Sequence, residues 1–170
     1  VASLAADLLS LGVEKEAIEE ILGVSLTELG NPEKRIPVSI YVRLEQEAPS
    51  LTKDDTIGLV LGSFFSFDGS KTGVVGYLAR HSNTFGMAFN QAIRFSNLIS
   101  DVFHMELRTQ GDSAEFIYSR PIPETFTILG IELSLARAVV TVQAVVGDDF
   151  HLKKATFQYP QPGYVKKYHA

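Results

Sequence analysis

The sequence predicts an α+β fold, in which a predominantly helical layer packs on a small antiparallel β-sheet within a single domain. Apolar residues recur at helical spacing over most of the first hundred residues, and the period changes from 3.6 to 2 near residue 103. A chain of 170 residues that is 45% hydrophobic can bury one substantial core. Because a small sheet must hide one apolar face, helices are expected to cover it.

The first half of the chain predicts a series of helices. Leucines at helical spacing predict helices over the first thirty residues, with the second running from Glu14 to Leu22. A further helix begins around Ser39, and we expect it to end at Pro49, because a proline ring clashes with the preceding turn. Asp54 or Asp55 can then cap a short helix that reaches Phe64.

Two more helices are predicted, over Thr72–Arg80 and Thr84–Ser100. In the second of these, apolar residues step by three and four, which places them on one inward-facing stripe. The stripe consists of Phe85, Ala88, Ala92, Phe95 and Ile99.

Strict alternation then predicts a hairpin. Phe103, Met105 and Leu107 alternate with polar residues, and a second alternating run ends at Tyr118 beyond a turn at Gly111. A long helix is predicted after Pro121 and Pro123, running to about Val146 and stopped by Gly147. Alternating residues over Ala155–Tyr159 predict a closing strand.

Composition argues against several functions. The chain has 15 basic and 20 acidic residues, and the resulting net charge of −5 is opposite in sign to a nucleic-acid-binding surface. It has no cysteine, and its four histidines form no pair at ligand spacing, so we expect neither a metal nor a cofactor. The longest apolar stretch, Ile128–Val146, carries Glu132 and Arg137, which would be costly in lipid. We therefore expect a cytoplasmic protein without a secretory signal or a membrane partner.

Several motifs in the order of one family cover residues 31 to 162. Asn31–Pro37 resembles D-x-x-x-R-I-P, and Ile57–Gly62 resembles F-G-L-x-L-G. Residues 82–88 and 98–101 are similar to S-x-T-L-G-x-A and L-x-S-D. Phe157–Pro162 is similar to a closing F-x-H-P-x-P, with Tyr159 in place of the usual histidine. These motifs resemble the N-terminal effector-binding, "arabinose-binding-like", domain of bacterial AraC/XylS-type transcriptional regulators.

The resemblance implies a domain over residues 1–160 that senses a small molecule and pairs with a second copy. It also implies that residues 161–170 begin a linker toward a C-terminal helix-turn-helix module that contacts DNA. Because no basic helical tail follows in this sequence, we expect the chain alone not to bind an operator. The arabinose sensor itself uses a different, cupin-like domain, so arabinose is not the expected effector.

A pocket between the helices and the sheet is the expected effector site. An arginine fork there can bind a carboxylate through two hydrogen bonds, and aromatic side chains suit an apolar body, so the effector is expected to be apolar or carboxylate-bearing. The alternatives are core packing for each aromatic residue and a surface or helix-capping role for each arginine. The candidate residues are Phe64, Phe65, Tyr77, Arg80, Phe89, Arg94 and Tyr118.

Catalysis is not expected, because the sequence contains neither a G-x-S-x-G elbow nor a nucleophile placed near a histidine and a carboxylate. Two alternatives stay open: a ligand-free dimerisation module of the same regulator class, and a small-molecule-modifying enzyme. A pocket with convergent arginine and tyrosine groups would favour the sensor. A filled core with an exposed apolar face would favour the dimerisation module, and a serine or histidine oriented by a carboxylate would favour the enzyme.

Overall fold

The structure, a computed structural model, describes residues 1–31, 36–64, 81–98 and 100–169. Within these residues it contains seven α-helices and one two-stranded antiparallel sheet, which confirms the predicted α+β class. The helices are α1 (Ala2–Ser10), α2 (Lys15–Leu22), α3 (Leu26–Leu29), α4 (Val38–Thr52), α5 (Ile57–Ser63), α6 (Phe85–Arg94) and α7 (Ile128–Val146), and the strands are β1 (His104–Gln110) and β2 (Ser113–Ser119).

The N-terminal helices form the core with α4, α5 and the first turns of α7. Leu8, Ile18 and Leu44 are completely buried in one cluster, as helical spacing predicts for the apolar faces of α1, α2 and α4. Helix α2 ends at Gly23, whose φ of 65° is the left-handed conformation that glycine adopts without a side-chain clash. The predicted helices of the first thirty residues are therefore confirmed.

Helix α4 does not end at Pro49, so that prediction was wrong. Pro49 lies in the last turn of α4, where its ring removes a single backbone hydrogen bond and the helix can continue to Thr52. The Thr52 hydroxyl donates to the Ala48 carbonyl over 2.8 Å, and the Asp54 N–H donates to the Pro49 carbonyl over 3.1 Å. The helix ends instead at Thr52, and Lys53, which follows it, has a φ of 55°.

Helices α5 and α7 pack with their backbones close together. A Cβ at Gly58 would lie 2.8 Å from the Leu129 carbonyl oxygen, so only glycine fits there without a shift. The predicted helix up to Val146 is confirmed, with Gly147 after it. Among the described residues, Ile128–Asp149 is the one segment long and apolar enough to cross a membrane. Its first turns are buried against α5, whereas the segment as a whole is 28% buried.

Helix α6 is shorter than predicted. It begins after Thr84, whose hydroxyl accepts from the Met87 N–H over 3.2 Å, but it ends at Arg94 rather than at Ser100. A 3₁₀ turn follows, in which the Leu98 N–H donates to the Phe95 carbonyl, and the serine and asparagine of this turn favour such local bonding over α-helix. The helix predicted over Thr72–Arg80 lies outside the described residues.

The hairpin is confirmed, with Met105 opposite Tyr118 and a turn at Gly111, whose φ is 55°. The closing strand predicted over Ala155–Tyr159 was wrong, because those residues form no strand. The aromatic side chains there pack on each other and on α7 instead of extending the sheet, and the rings of Phe157 and Tyr159 lie 5.1 Å apart.

Candidate functional site

A cavity of about 1340 Å³ lies between two layers of the molecule. Helix α6 and the hairpin form one side, and α4 and α7 form the other. The lining is mostly apolar, with a few polar groups that converge on the same space, which is the usual composition of a small-molecule site. Three parts of this lining have distinct chemistry.

The first part is an aromatic wall formed by α6 and the hairpin. Residues at spacings of three and four on α6 face the cavity, so Phe85 and Phe89 lie one turn apart with ring centroids separated by 5.5 Å. Phe89 packs edge-on against Phe116 of β2 at 5.2 Å, and Phe103 stacks on Tyr118 at 5.5 Å. The hydrophobic stripe of α6 therefore faces the cavity rather than a closed core.

The second part is the face of α7 that carries Arg137. Leu133, Ser134, Arg137 and other residues at helical spacing line the cavity along this helix. Arg137 Nη2 lies 2.8 Å from the Asp7 carboxylate of α1, and the Arg137 side chain is 25% exposed. Burial raises the pKa of Asp7, although the charge and hydrogen bond of Arg137 act to lower it. A guanidinium thus lies beside the cavity with a partly exposed carboxylate as partner.

The third part is a polar end formed by Tyr41, Tyr118 and Thr125. Behind it, Arg120 and Glu45 form a buried bidentate ion pair with N–O distances of 2.5 and 2.7 Å. Their side chains are 1% and 0% exposed. Because both charges are removed from water, the pair requires close geometry and further hydrogen bonds to be stable. Those bonds exist, since Arg120 also donates to the Thr125 carbonyl over 2.8 Å.

Two residues at the start of α7 accommodate this pair, one by a hydrogen bond and one by its lack of a side chain. Thr127, the N-cap of α7, donates from its hydroxyl to Glu45 over 2.6 Å and accepts from the Gly130 N–H over 3.0 Å. A Cβ at Gly130 would lie 2.7 Å from Glu45 Oε1 and 2.5 Å from Arg120 Cζ, so any larger residue would displace the pair. The start of α7 therefore anchors the end of β2 to α4.

The charges of the pair act on the neighbouring groups. Burial alone would lower the pKa of Arg120, but the hydrogen bonds and negative charge of Glu45 raise it well above its ordinary value. Burial also raises the pKa of Tyr41, and the charge of Glu45 raises it further. At neutral pH Arg120 is a cation and Tyr41 a neutral phenol.

A separate polar cluster lies next to Leu133, at the buried carboxylate of Glu132. Its Oε1 accepts hydrogen bonds from the hydroxyls of Tyr159, Tyr164 and Tyr168 at 3.3, 3.0 and 2.5 Å. The C-terminal segment is thus bound to α7 at a residue adjacent to the cavity lining.

The seven sequence-predicted site residues fall into three groups. Phe89 and Tyr118 line the cavity. Phe64 is 75% exposed at the end of α5, and Arg94 is exposed with its guanidinium over the Phe95 ring at 5.4 Å; neither lines the cavity. The remaining three, Phe65, Tyr77 and Arg80, lie outside the described residues, so the binding role of all seven stays a prediction.

Arg137, Tyr41 and Glu45 are absent from the sequence-predicted site. A signal exists for Arg137, because an arginine inside an apolar helix needs a partner or a polar space to face. No comparable sequence signal exists for Glu45, because it lies in a helix with an ordinary amphipathic pattern. Its partner, Arg120, is 75 residues away in the sequence. Among the described residues, no group of three or more histidine, aspartate or glutamate side chains is placed to hold a metal ion.

An aromatic-lined cavity with an arginine and two tyrosines in an α+β domain is typical of small-molecule-binding domains. A family model described as "Arabinose-binding domain of AraC transcription regulator, N-term" matches residues 12–170, and the chain belongs to this family. The family is a regulatory, ligand-binding domain of transcription regulators and not an enzyme family.

A curated relative supports the same assignment. The chain is 24% identical over 159 residues to the "Ornithine utilization regulator" of Pseudomonas aeruginosa. The match covers 92% of this chain and 46% of the relative, so the chain spans about half the length of that protein.

Proposed function

We propose that this domain binds a small carboxylate-bearing molecule with an apolar body in the cavity, and thereby controls DNA binding by a helix-turn-helix module of the cytoplasmic regulator to which it belongs. The observation that carries the proposal is the cavity of about 1340 Å³, in which an aromatic wall faces the Arg137 side of α7. A cavity of this size is large enough for a drug-sized ligand, for which about 300–1,000 Å³ is typical.

Arg137 is the group best suited to the carboxylate. Its planar guanidinium presents several N–H donors, so an effector carboxylate can bind beside Asp7 or replace it. The Asp7 side chain is 35% exposed, so the salt bridge is accessible to a competing carboxylate. Among the other cavity-lining groups, Phe85 and Phe89 offer apolar area for the body of the ligand.

Helix α7 supplies the route by which binding acts on the rest of the regulator. It lines the cavity with Leu133 and Arg137, and through Glu132 it holds Tyr164 and Tyr168 of the C-terminal segment. A ligand that favours one position of α7 would shift the population in which this segment is bound, in proportion to its differential affinity for the two arrangements.

A thermal-shift screen of the chain tests the proposal, because a ligand that binds only the folded state raises its Tm. The panel contains straight-chain and aromatic carboxylic acids, amino acids and sugars. L-ornithine is included because the relative is named for ornithine utilisation. We expect dose-dependent stabilisation by acids and none by neutral sugars.

Three variants locate the carboxylate. Arg137→Gln is expected to weaken binding of a stabilising acid at least about tenfold, or 1.4 kcal/mol. Asp7→Asn breaks the same salt bridge but keeps the guanidinium, so it should bind the acid at least as well as the parent chain. Arg94→Gln, at an exposed arginine outside the cavity, should bind normally. A flat screen, or equal losses in Arg137→Gln and Arg94→Gln, would refute the proposal.

Association of two copies is a second proposed function. Apolar side chains are exposed where α7 ends, including Val145 at 54% and Leu152 at 56%, and such surface favours self-association. Sedimentation at tens of micromolar should show a dimer that is weakened by Leu152→Glu, at a residue outside the cavity lining. A monomer at that concentration would contradict this part of the proposal.

A further inference from the structure

The polar end of the cavity, made by Tyr41, Tyr118 and Thr125, offers hydrogen bonds without net charge. Both Glu45 oxygens accept from Arg120, and one also accepts from Thr127. The two charges therefore neutralise each other behind the cavity wall, and neither charge of this pair is left to bind a charged ligand group.

Two phenols line the cavity beside the ion pair. The Tyr41 ring lies under the Arg120 guanidinium at 5.7 Å, and Tyr41 and Tyr118 both line the cavity. A phenol hydroxyl can donate one hydrogen bond and accept another. The two phenols therefore match a ligand group that can also both donate and accept.

The polar end and Arg137 lie at different points along α7. Thr127, in contact with the ion pair, precedes Arg137 by ten residues, which corresponds to about 15 Å along the helix axis. Side chains on a helix lean toward its N-terminus, so the guanidinium lies closer to the polar end than its backbone does. The wall between these two points is mostly apolar and includes Leu133 and the rings of α6, with Ser134 as a polar member.

We infer that the effector is bifunctional: a carboxylate at Arg137, an apolar middle against the α6 wall, and a neutral hydroxyl or amide hydrogen-bonded by Tyr41 and Tyr118. This inference rests on the carboxylate site of the proposed function and adds the second group. It distinguishes ω-hydroxy acids from plain fatty acids, which lack the second group, and from ω-amino acids, whose terminal ammonium would meet a Glu45 carboxylate already neutralised by Arg120.

Isothermal titration calorimetry with three probes of equal length tests the inference: octanoate, 8-hydroxyoctanoate and 8-aminooctanoate, with the six- and ten-carbon homologues to match the span. The hydroxy acid is expected to bind at least tenfold more tightly than the plain acid at the best chain length. The amino acid should bind no more tightly than the plain acid.

Variants separate the two ends of the ligand. Tyr118→Phe and, as a second test, Tyr41→Phe should each abolish the advantage of the hydroxy acid, measured as the ratio of its affinity to that of octanoate in the same variant. Arg137→Gln should weaken both acids by the same factor. Circular dichroism shows whether each variant is folded. Loss of the hydroxyl advantage in either folded tyrosine variant supports the inference.

The outcomes distinguish this inference from the proposed function. If the plain acids bind and the hydroxy acid binds no tighter at any length, or if the amino acid binds tightest, the bifunctional effector is refuted and the carboxylate site stands. If a hydroxyl advantage survives in both tyrosine variants, the polar end is not its origin and the inference also fails. If no acid binds at all, both are refuted.

Discussion

Removal of Glu45 should be among the most destabilising single changes in this chain. The Glu45→Ala variant leaves the Arg120 guanidinium charged and buried, since its side chain is 1% exposed and its pKa is raised by Glu45 itself. Breaking a buried ion pair from one side typically costs about 3–5 kcal/mol. For a chain of this length that corresponds to a fall in Tm of about 6–20 °C.

Urea unfolding followed by circular dichroism measures this cost. Two controls accompany it. Glu106→Gln removes an exposed partner of Arg108 and should leave stability almost unchanged. The double variant Glu45→Leu/Arg120→Met removes both charges at similar volume and should recover most of the loss, because an apolar pair in a buried site is often as stable as the ion pair. A Glu45→Ala variant within about 1 kcal/mol of the parent chain would refute the reasoning.

Three further outcomes are expected. Gly58→Ala should destabilise the chain by about 1–3 kcal/mol, because the added Cβ would meet the α7 backbone. Gly86→Ala should be neutral or stabilising, because no described atom lies within 4 Å of a Cβ at that position. Equal changes in the free energy of unfolding for the two variants, measured in urea, would contradict this. Tyr168→Phe removes the 2.5 Å hydrogen bond to Glu132, so it should lower the free energy of unfolding by about 1 kcal/mol and speed proteolysis of the C-terminal segment. Unchanged proteolysis would show that this hydrogen bond does not hold the segment on α7. Burial raises the pKa of Asp7 above its ordinary 3.8, so the folded state binds this proton more tightly and stability should fall as the pH rises above that value. Asp7→Asn should lack this component, and an identical pH profile for the two chains would refute it.

Much of the fold is readable from the sequence because it depends on local periodicity. The spacing in α1, α2 and α7 and the alternation in β1 and β2 each determine their own element, and Gly23 and Gly147 mark two helix ends. The motifs between residues 31 and 162 likewise predict the family, since they recur in order along the chain.

The errors occur where a tertiary contact overrides the local pattern. Pro49 suggests a helix end, yet the final turn of α4 tolerates it because Thr52 and Asp54 supply replacement hydrogen bonds. The alternation over residues 155–159 suggests a strand, but Phe157 and Tyr159 bury their rings against each other and near Glu132 rather than along a sheet edge.

The site is harder to predict than the fold because its residues meet across the chain. Phe89 and Tyr118 are found among the sequence-predicted residues because aromatic side chains concentrate at the seam between layers. The pairing of Arg137 with Asp7 spans 130 residues and that of Arg120 with Glu45 spans 75, so neither is visible in any local motif. Arg94 is the opposite case, because the sequence predicts it as a site residue and it does not line the cavity. It lies on the cavity-lining helix α6, but its side chain is exposed outside the cavity.

The most direct test of the effector site is a crystal structure of the chain with the acid that most raises its Tm. We expect the ligand between α6 and α7, with its carboxylate within hydrogen-bonding distance of Arg137 and its apolar part against Phe85 and Phe89. A ligand bound elsewhere, or one in the cavity whose carboxylate points away from Arg137, would contradict the proposed site.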